Sequence, residues 1–471
     1  MSAAYETHLS SLGHGARDRW ALLAAAATVA GVWCGRNVLI VALPCLGLLA
    51  VRRVRRAVAL LLVLVLAAVI AGGHAWAEAH PRHLGSYAGW VQLVSDPSPS
   101  GPGMKVTIRV EGERFDAWLF GGQRIALGGR QAGEWAWVSG RRRPSTGAVR
   151  RALIRHVVGR FDLQAVDAII PGNAVDRASN RVRSLLRRRA EQAMQPVDAS
   201  LFTGLVIGDD ARQPAWLVDE FRTSGLSHLT AVSGQNVAFV LAAAMPLLRR
   251  LRPWWRWLAT VGLIAWFMAL TRFEPSVLRA GVMAMFAATG FAVGREVRPA
   301  RAVSAAVVVL VLVDPMLVWS VGFWLSVGAT LGVALAGPWW AARLPGPRWW
   351  RVAAGVTLGA QTGVALPSIL VFHRLAVMSL PANLLAVPVA GFVMLYGIPA
   401  ALAASWSPAI MARLLMAPSA IGTRWVALVA RVAAAFEPGG RAELIVWLMV
   451  GVGLATIVLR RSRPAPARVP I

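Results

Sequence analysis

Long apolar runs separated by short basic patches dominate the chain, and one interval in the first half breaks that rhythm. Trp20 to Cys34 and Val38 to Val51 are short apolar segments parted by Gly35-Arg36-Asn37, and a full-length run follows from Ala57 to about Ala77. Beyond residue 200, apolar segments recur at about 227–248, 257–271, 277–294, 302–319, 320–337, 352–371, 382–404, 409–436 and 442–459. A helix of about 20 apolar residues crosses a bilayer, so the pattern predicts a polytopic α-helical membrane protein with about 10–12 membrane segments. In the interval, Met104, Val106, Ile108 and Val110 alternate with Lys105, Thr107, Arg109 and Glu111, the period of a half-buried strand. Gly112 then turns the chain into a run from Arg114 to Phe120, which reads as a hairpin. Gly89–Val94, Glu134–Ser139 and Val157–Ile170 supply further strands. Five short strands in about 90 residues predict an inserted small β-barrel of the OB type, whose Trp90, Trp118, Trp135 and Trp137 read as buried core ahead of the alternative, aromatics that bind single-stranded nucleic acid. From Asp176 to Met194 the period becomes helical. Val182, Leu185, Leu186, Ala190 and Ala193 form an apolar stripe, and arginines that include Arg183 and Arg187 crowd the rest. Such a helix docks on anionic headgroups or touches nucleic-acid phosphates.

Composition sharpens this picture. Apolar residues make up 57% of the 471 and charged residues only 15%, against roughly 25% charged in soluble domains. A cytosolic enzyme, a secreted disulfide scaffold and a disordered chain are excluded. Cys34 and Cys45 both lie in early apolar segments and imply neither a disulfide framework nor a zinc site. The charge is lopsided: 49 basic residues face 22 acidic ones, a net +27, and Lys105 is the sole lysine. Arginine stays protonated and forks onto phosphates. The excess therefore reads either as an orientation signal or as the counter-charge to a polyanionic cargo. Placing Arg17, Arg19 and the cluster from Arg52 to Arg56 in the cytoplasm sends residues from about 78 to 196 outside. The resulting parse is N-terminal membrane segments over 1–77, an extracytoplasmic OB-like domain over 78–172 and a basic amphipathic linker over 173–200. A transmembrane channel domain over 201–460 and a cytoplasmic tail over 461–471 complete it.

Candidate chemistry concentrates between Leu201 and Val240, a stretch too polar for a span and too apolar for an ordinary loop. Asp209 and Asp210 lead to Ser224-Gly225, then His228, then the run Ser233-Gly234-Gln235-Asn236 inside an apolar segment. Polar groups at membrane depth are costly, so these residues read as path lining or as hydrogen bonds between neighbouring helices. Arg413, Arg424 and Arg431, spaced 11 and 7 apart, fall within about 20° of one helical face. That stripe faces an aqueous path if the segment spans, or headgroups if it lies flat. Arg279 reads as a phosphate contact or as a structural partner of Glu274.

Gly208-Asp209, Phe221, Ser224-Gly225-Leu226, His228-Leu229 and Ser233-Gly234 in this order resemble the central signature of the ComEC family of competence proteins. So do Arg279-Ala280 with Met283, the segment from Asp314-Pro315 to Leu325-Ser326, and Pro381 through Asn383 to Pro388. The resemblance implies a channel that carries single-stranded transforming DNA across the inner membrane. An outer-face DNA receptor, a cytoplasmic ATP-driven translocase and membrane lipids would be its partners. Many members append a metallo-β-lactamase-like domain. This sequence has no His-x-His-x-Asp-His cluster, so a separate nuclease is expected, with no catalytic residue, cofactor or metal here. No Walker-type phosphate loop is present either. A transporter or flippase for another anion such as a lipid shares the same charge logic. An intramembrane serine protease built on Ser233 fits poorly, because His228 lies five residues earlier, about 140° round a helix.

Overall fold

The computed structural model describes residues 2–35, 55–145, 149–230, 234–294 and 298–462. Val38–Val51, Arg52, Arg53, Cys45, Arg295 and Ser233 lie outside the described residues. The chain divides into two compact units, Met1–Arg188 with Gly234–Phe323, and Arg189–Ser233 with Trp324–Ile471.

The first unit contains the sheet. Its strands are β1 (Gly85–Leu93), β2 (Ser98–Ser100), β3 (Gly103–Val110), β4 (Glu113–Leu119), β5 (Trp135–Pro144) and β6 (Val157–Ile170). Pairing runs β1–β5–β6–β4–β3–β2, with β3 also paired to β1. All contacts are antiparallel except β4–β6. The β3–β4 turn places Glu111 and Gly112 at positive φ, the backbone a two-residue hairpin requires, and Arg142 pairs with Glu111 at 2.7 Å. Register shifts in β5–β6 let the 14-residue β6 bend and reach β4 as well. The inward positions Val91, Ile108, Phe115, Leu119, Val138 and Phe161 form the core.

The tryptophans correct the sequence-based expectation. Trp90, Trp135 and Trp137 are 36–37% exposed, Trp118 is half-buried, and none belongs to the core. Trp90 faces Trp137 across β1–β5, edge to face with centroids 5.6 Å apart. Trp118 lies under Lys105 and Arg160, each 5.2 Å from its ring.

A second correction concerns the basic helix, Ala174–Ala193. Its inward face is Ser179, Asn180, Arg183, Leu186 and Ala190, all buried, while Val182, Leu185 and Ala193 of the apolar stripe are half-buried. Arg183 is only 3% exposed and donates to Asp96 at 3.2 Å and to the Leu270 carbonyl at 3.0 Å. That commitment removes it from the surface a phosphate would touch, contrary to the sequence reading. Asp96 also takes Arg272 at 2.9 Å and the Ala132 amide at 2.7 Å. Arg272 and Phe273 both adopt positive φ in the connection between the helices Pro253–Leu270 and Pro275–Ala292. Burial alone would raise the Asp96 carboxyl, but Arg272 and Arg183 hold it below the ordinary carboxylate value. In the same unit Asp18 pairs with Arg298 and Arg301.

Five helices among the described residues are long and apolar enough to cross a membrane: Arg55–Ala77, Val321–Arg343, Arg348–Phe372, Ser379–Trp406 and Ala409–Phe436. Several other expected spans are shorter or interrupted. In the 227–248 segment the described residues form the helices Ser227–Thr230 and Gly234–Leu248. The 302–319 segment is a helix only to Val313, where Asp314 caps a tight turn over Pro315–Trp319. At the heart of the second unit lies the 12-residue helix Pro196–Ile207, buried from Asp198 to Ile207. At about 1.5 Å per residue it is too short to span a bilayer. Val321–Arg343 and Arg348–Phe372 meet backbone to backbone. A Cβ on Gly359 would come 2.8 Å from the Gly332 carbonyl, and one on Gly355 2.8 Å from that of Gly337. Gly328 and Gly363 are closer still. The seam glycines of the first helix fall at 328, 332 and 337, and a π-helical turn over Gly332–Ala336 absorbs the extra residue, keeping Gly337 on the seam.

Two outcomes follow. Gly359→Leu in detergent-purified protein should lower stability by roughly 2–3 kcal/mol, read as an apparent Tm, whereas Gly262→Ala, whose Cβ meets nothing within 4 Å, should leave it in place. A seam that tolerates leucine would disprove the backbone contact. Asp96→Asn should cost about 3 kcal/mol by leaving two arginines without their anion. Because the folded carboxyl titrates below its unfolded value, its contribution is full above about pH 4 and fades as pH falls through the folded value. Wild-type Tm should therefore drop more steeply than that of Asp96→Asn in a melt series below about pH 4.

Candidate functional site

The polar residues singled out in the sequence settle in two separate environments. In the first unit, Gly234 opens the Gly234–Leu248 helix, and a Cβ there would stand 2.8 Å from that of Ala280. Gln235 is half-buried and Asn236 buried. The neighbouring Arg279 is 4% exposed on the Pro275–Ala292 helix. One of its terminal nitrogens donates to the Gly322 carbonyl at 2.9 Å, and the guanidinium lies 5.9 Å from the Phe323 ring centroid. Its Nε and other terminal nitrogen have no hydrogen-bond partner among the described residues. Three segments of the sequence signature thus converge here: Gly234 with Asn236, Arg279-Ala280, and Gly322-Phe323. An enclosed guanidinium with two idle donors is poorly compensated, since leaving a buried cation unpaired costs several kcal/mol.

In the second unit, Ser224 is fully buried and bonds back to the Phe221 carbonyl at 3.2 Å. Gly225, at φ 73°, ends the turn after the Ala215–Thr223 helix, and a Cβ there would fall 2.6 Å from that of Ser379. Ser379 is the centre of a compact polar knot. Its hydroxyl accepts from the Gln361 amide and donates to the Ala376 carbonyl at 2.7 Å, and its own carbonyl accepts from Asn383 at 2.7 Å. The chain just before it is gripped by acids. Both Glu437 oxygens take backbone amides, Val377 and Met378, at 2.8 Å. Glu443 takes that of Leu375 at 2.9 Å, and the Trp447 indole donates to the Leu375 carbonyl at 2.7 Å. Asp209 is buried after the left-handed Gly208, whereas His228 is exposed.

Gln361, Ser379, Glu437, Glu443 and Trp447 were not singled out from the sequence. An amide or carboxylate inside or beside a long apolar run is the signal that would have found Gln361 and Glu443. Of the late arginines, Arg413 is exposed. Arg424 reaches Asp198 at 2.7 Å, and Arg431 reaches Glu220 at 3.2 Å over the Trp216 ring. Arg187 is half-buried and contributes to the field that holds Asp96 ionised.

Gly225→Ala combines an unfavourable φ with a close approach to Ser379. It should loosen the 374–379 segment, so limited trypsinolysis of the purified protein should cut at the exposed Arg374 several-fold faster. Gly451→Ala, with open space around it, is the control. Equal cleavage rates in the two variants would remove Gly225 as the residue that seats this segment.

Both environments fall within the region matched by a family model. The model described as "Competence protein" covers residues 205–464, more than half of the chain. ComE operon protein 3 of Bacillus subtilis (strain 168) is 29% identical over 212 residues, which are 43% of this chain and 26% of that protein. The uncharacterized protein YcaI of Escherichia coli (strain K12) is 29% identical over 265 residues, 52% of this chain and 33% of that protein. The matched regions thus span a third or less of those curated relatives. No solved structure gives a significant match. Over residues 205–464, which include both of these environments, the chain belongs to the competence protein family.

Proposed function

We propose that this protein is a membrane-embedded conduit that passes single-stranded DNA across the inner membrane during competence DNA uptake. The observation that carries the reading is Arg279, a buried guanidinium with two idle donors inside the region matched to the competence family. Such a group favours an anion that arrives, binds weakly and leaves, which is what conduction through a chain of sites requires. Arg413, Arg424 and Arg431 on the Ala409–Phe436 helix add exposed positive charge of a different kind, Arg424 and Arg431 being paired with Asp198 and Glu220. Short helices such as Pro196–Ile207, buried yet unable to span, are a device of membrane transporters whose paths open at broken helices. Asp209, Ser224, Gly225, His228, Ser233, Gly234, Gln235 and Asn236 belong to that path on this reading.

The sheet would be an OB-type barrel standing outside the membrane. The return pairing of β3 to β1, the parallel β4–β6 contact and the helix Gly121–Leu127 between β4 and β5 support the barrel. The basic stretch before Arg55–Ala77 supports the orientation. A DNA receptor would deliver the strand, a separate nuclease would make it single, and a cytoplasmic ATP-driven translocase would draw it in.

Labelled DNA supplied to a deletion strain and its complemented parent tests the proposal. Cytoplasmic, DNase-protected single strands should disappear on deletion and return on complementation, while DNA held outside the membrane persists. Complementation with Arg279→Gln at equal membrane abundance should restore less than a tenth of the cytoplasmic pool. An unchanged pool in the deletion strain would sink the conduit reading and favour transport of a different anion, such as a lipid.

A further inference from the structure

A second basic site lies in the first unit, away from Arg279. A pocket of about 300 Å³ opens where the end of β6 and the turn before β5 meet the basic helix. Arg177, Arg181 and Arg188 line it. Spacings of four and seven put them within about 40° of one another around the helix, and all three are exposed. Gln131 and Asn180 also line the pocket, each only 9% exposed. Gln131 Nε2 and Asn180 Oδ1 are buried without a hydrogen-bond partner among the described residues, although Gln131 Oε1 accepts from Ser184 and Asn180 Nδ2 donates to the Ala132 carbonyl. Buried polar atoms left unsatisfied in this way are uncommon and mark a place for a ligand or water.

The charge in the pocket is one-sided. Among the described residues Glu134 is the one acid lining it, and that carboxylate already accepts from the Gln131 backbone N–H at 3.3 Å and stands 3.9 Å from Arg130. Arg177 is anchored to the Gly172 carbonyl at 2.8 Å, so one of the cations is fixed by the fold. The site is therefore built for an anion with several acceptor oxygens. What surrounds it narrows the choice. Glu134 adjoins Trp135 in sequence, Trp135 pairs with Ile170 beside Pro171 of the pocket, and Trp137 and Trp90 continue the same outward face. An aromatic surface beside a phosphate-sized basic pocket suits a nucleic-acid strand, whose bases stack while its backbone is neutralised.

We propose that this pocket holds a backbone phosphate of single-stranded DNA, with flanking bases on Trp135 and its neighbours, before the strand enters the membrane. The inference rests on the conduit reading, but it is tested on binding rather than passage. The full-length protein in detergent is titrated with a fluorescent oligothymidylate over a range of salt. Arg181→Gln with Arg188→Gln should weaken binding at least tenfold at low salt and reduce the slope of log K against log salt by about 1.4, roughly 0.7 per lost single-strand contact. Trp135→Ala should weaken binding several-fold with an unchanged slope. Arg249→Gln with Arg250→Gln removes the same charge from an exposed segment elsewhere and should stay within twofold of wild type. Circular dichroism melts show whether each variant is folded, and the tryptophan variant tests the site independently of the arginines.

Equal losses in the two arginine pairs would reduce the site to bulk charge and overturn the proposal. So would unchanged oligonucleotide binding together with weakened binding to phosphatidylglycerol vesicles, which would assign the pocket to a lipid headgroup. Failure of the pocket is distinguishable from failure of the conduit. Wild-type-like binding by the variants, with uptake lost in the deletion strain, discards only the pocket. Weakened binding, with uptake intact in the deletion strain, discards only the conduit.

Discussion

Carboxylates are the scarce component of this protein, and several of its junctions are closed by one. With 49 basic residues to 22 acidic, most arginines cannot have a counter-ion of their own. Three of the acids that lie among helices, Asp96, Asp18 and Glu437, serve more than one group at once. Asp96 gathers two guanidiniums and a backbone amide, and Asp18 holds Arg298 and Arg301. Glu437 and Glu443 together satisfy three consecutive-region amides ahead of Ser379. In a low-dielectric setting a carboxylate shared in this way is stronger than the same pairs in water, and the alternative, an amide or guanidinium left dry, is expensive. The scarcity therefore fixes geometry: there is one place each acid can go.

The same arithmetic explains which cations remain uncommitted. Arg183 and Arg272 are locked to Asp96, and Arg424 and Arg431 lean on Asp198 and Glu220. Among the described residues, Arg279 hydrogen-bonds to a carbonyl, lies over an aromatic face and feels the field of the Glu274 carboxylate. Its helix also packs so closely on Gly234 that no larger side chain fits between them without displacement. Close backbone approach recurs along the seam of Val321–Arg343 with Arg348–Phe372, where glycines replace the side chains that would otherwise carry packing. At these two contacts apolar helices are held by proximity of backbones, whereas elsewhere buried side chains such as Phe202, Phe267, Val393 and Met416 carry the packing.

Much of the architecture was legible because it depends on period. Strand alternation located β3, β4 and β6, the Gly112 turn was read directly, and the four long helices beyond residue 320 follow their apolar runs with shifted ends. The tryptophans were misassigned because size was weighed above parity. Trp135 and Trp137 share their register with Arg141 and Arg143, which cannot face a small core, so the alternation already placed them outward. The glycine seam was hidden for a different reason. Spacings of four and then five disguise a helical repeat unless a π turn restores the phase. The acids at 437 and 443 escaped notice because their partners are backbone amides some 60 to 70 residues distant, and side-chain type does not reveal which main-chain group it will satisfy. The basic helix looked amphipathic in the usual sense, yet its buried face includes Arg183 and Asn180; only a nearby carboxylate, unforeseen in Asp96, makes that face tolerable.

Burial separates the two anion-seeking sites of the first unit by the kind of work each can do. The arginines of the pocket are exposed, so their attraction for a phosphate is screened over about 8–10 Å at physiological salt and depends on counter-ion release. Arg279 is enclosed, so its attraction is little screened, but an anion reaches it only by shedding water, which offsets most of the gain. On the proposed reading the first kind of site suits capture of a strand from solution, where steering and reversibility matter. The second suits a constriction, where strong binding would stall the strand and a half-compensated cation holds each phosphate only briefly. A chain with abundant carboxylates beside Arg279 would lose that balance, because the site would be satisfied before any strand arrived.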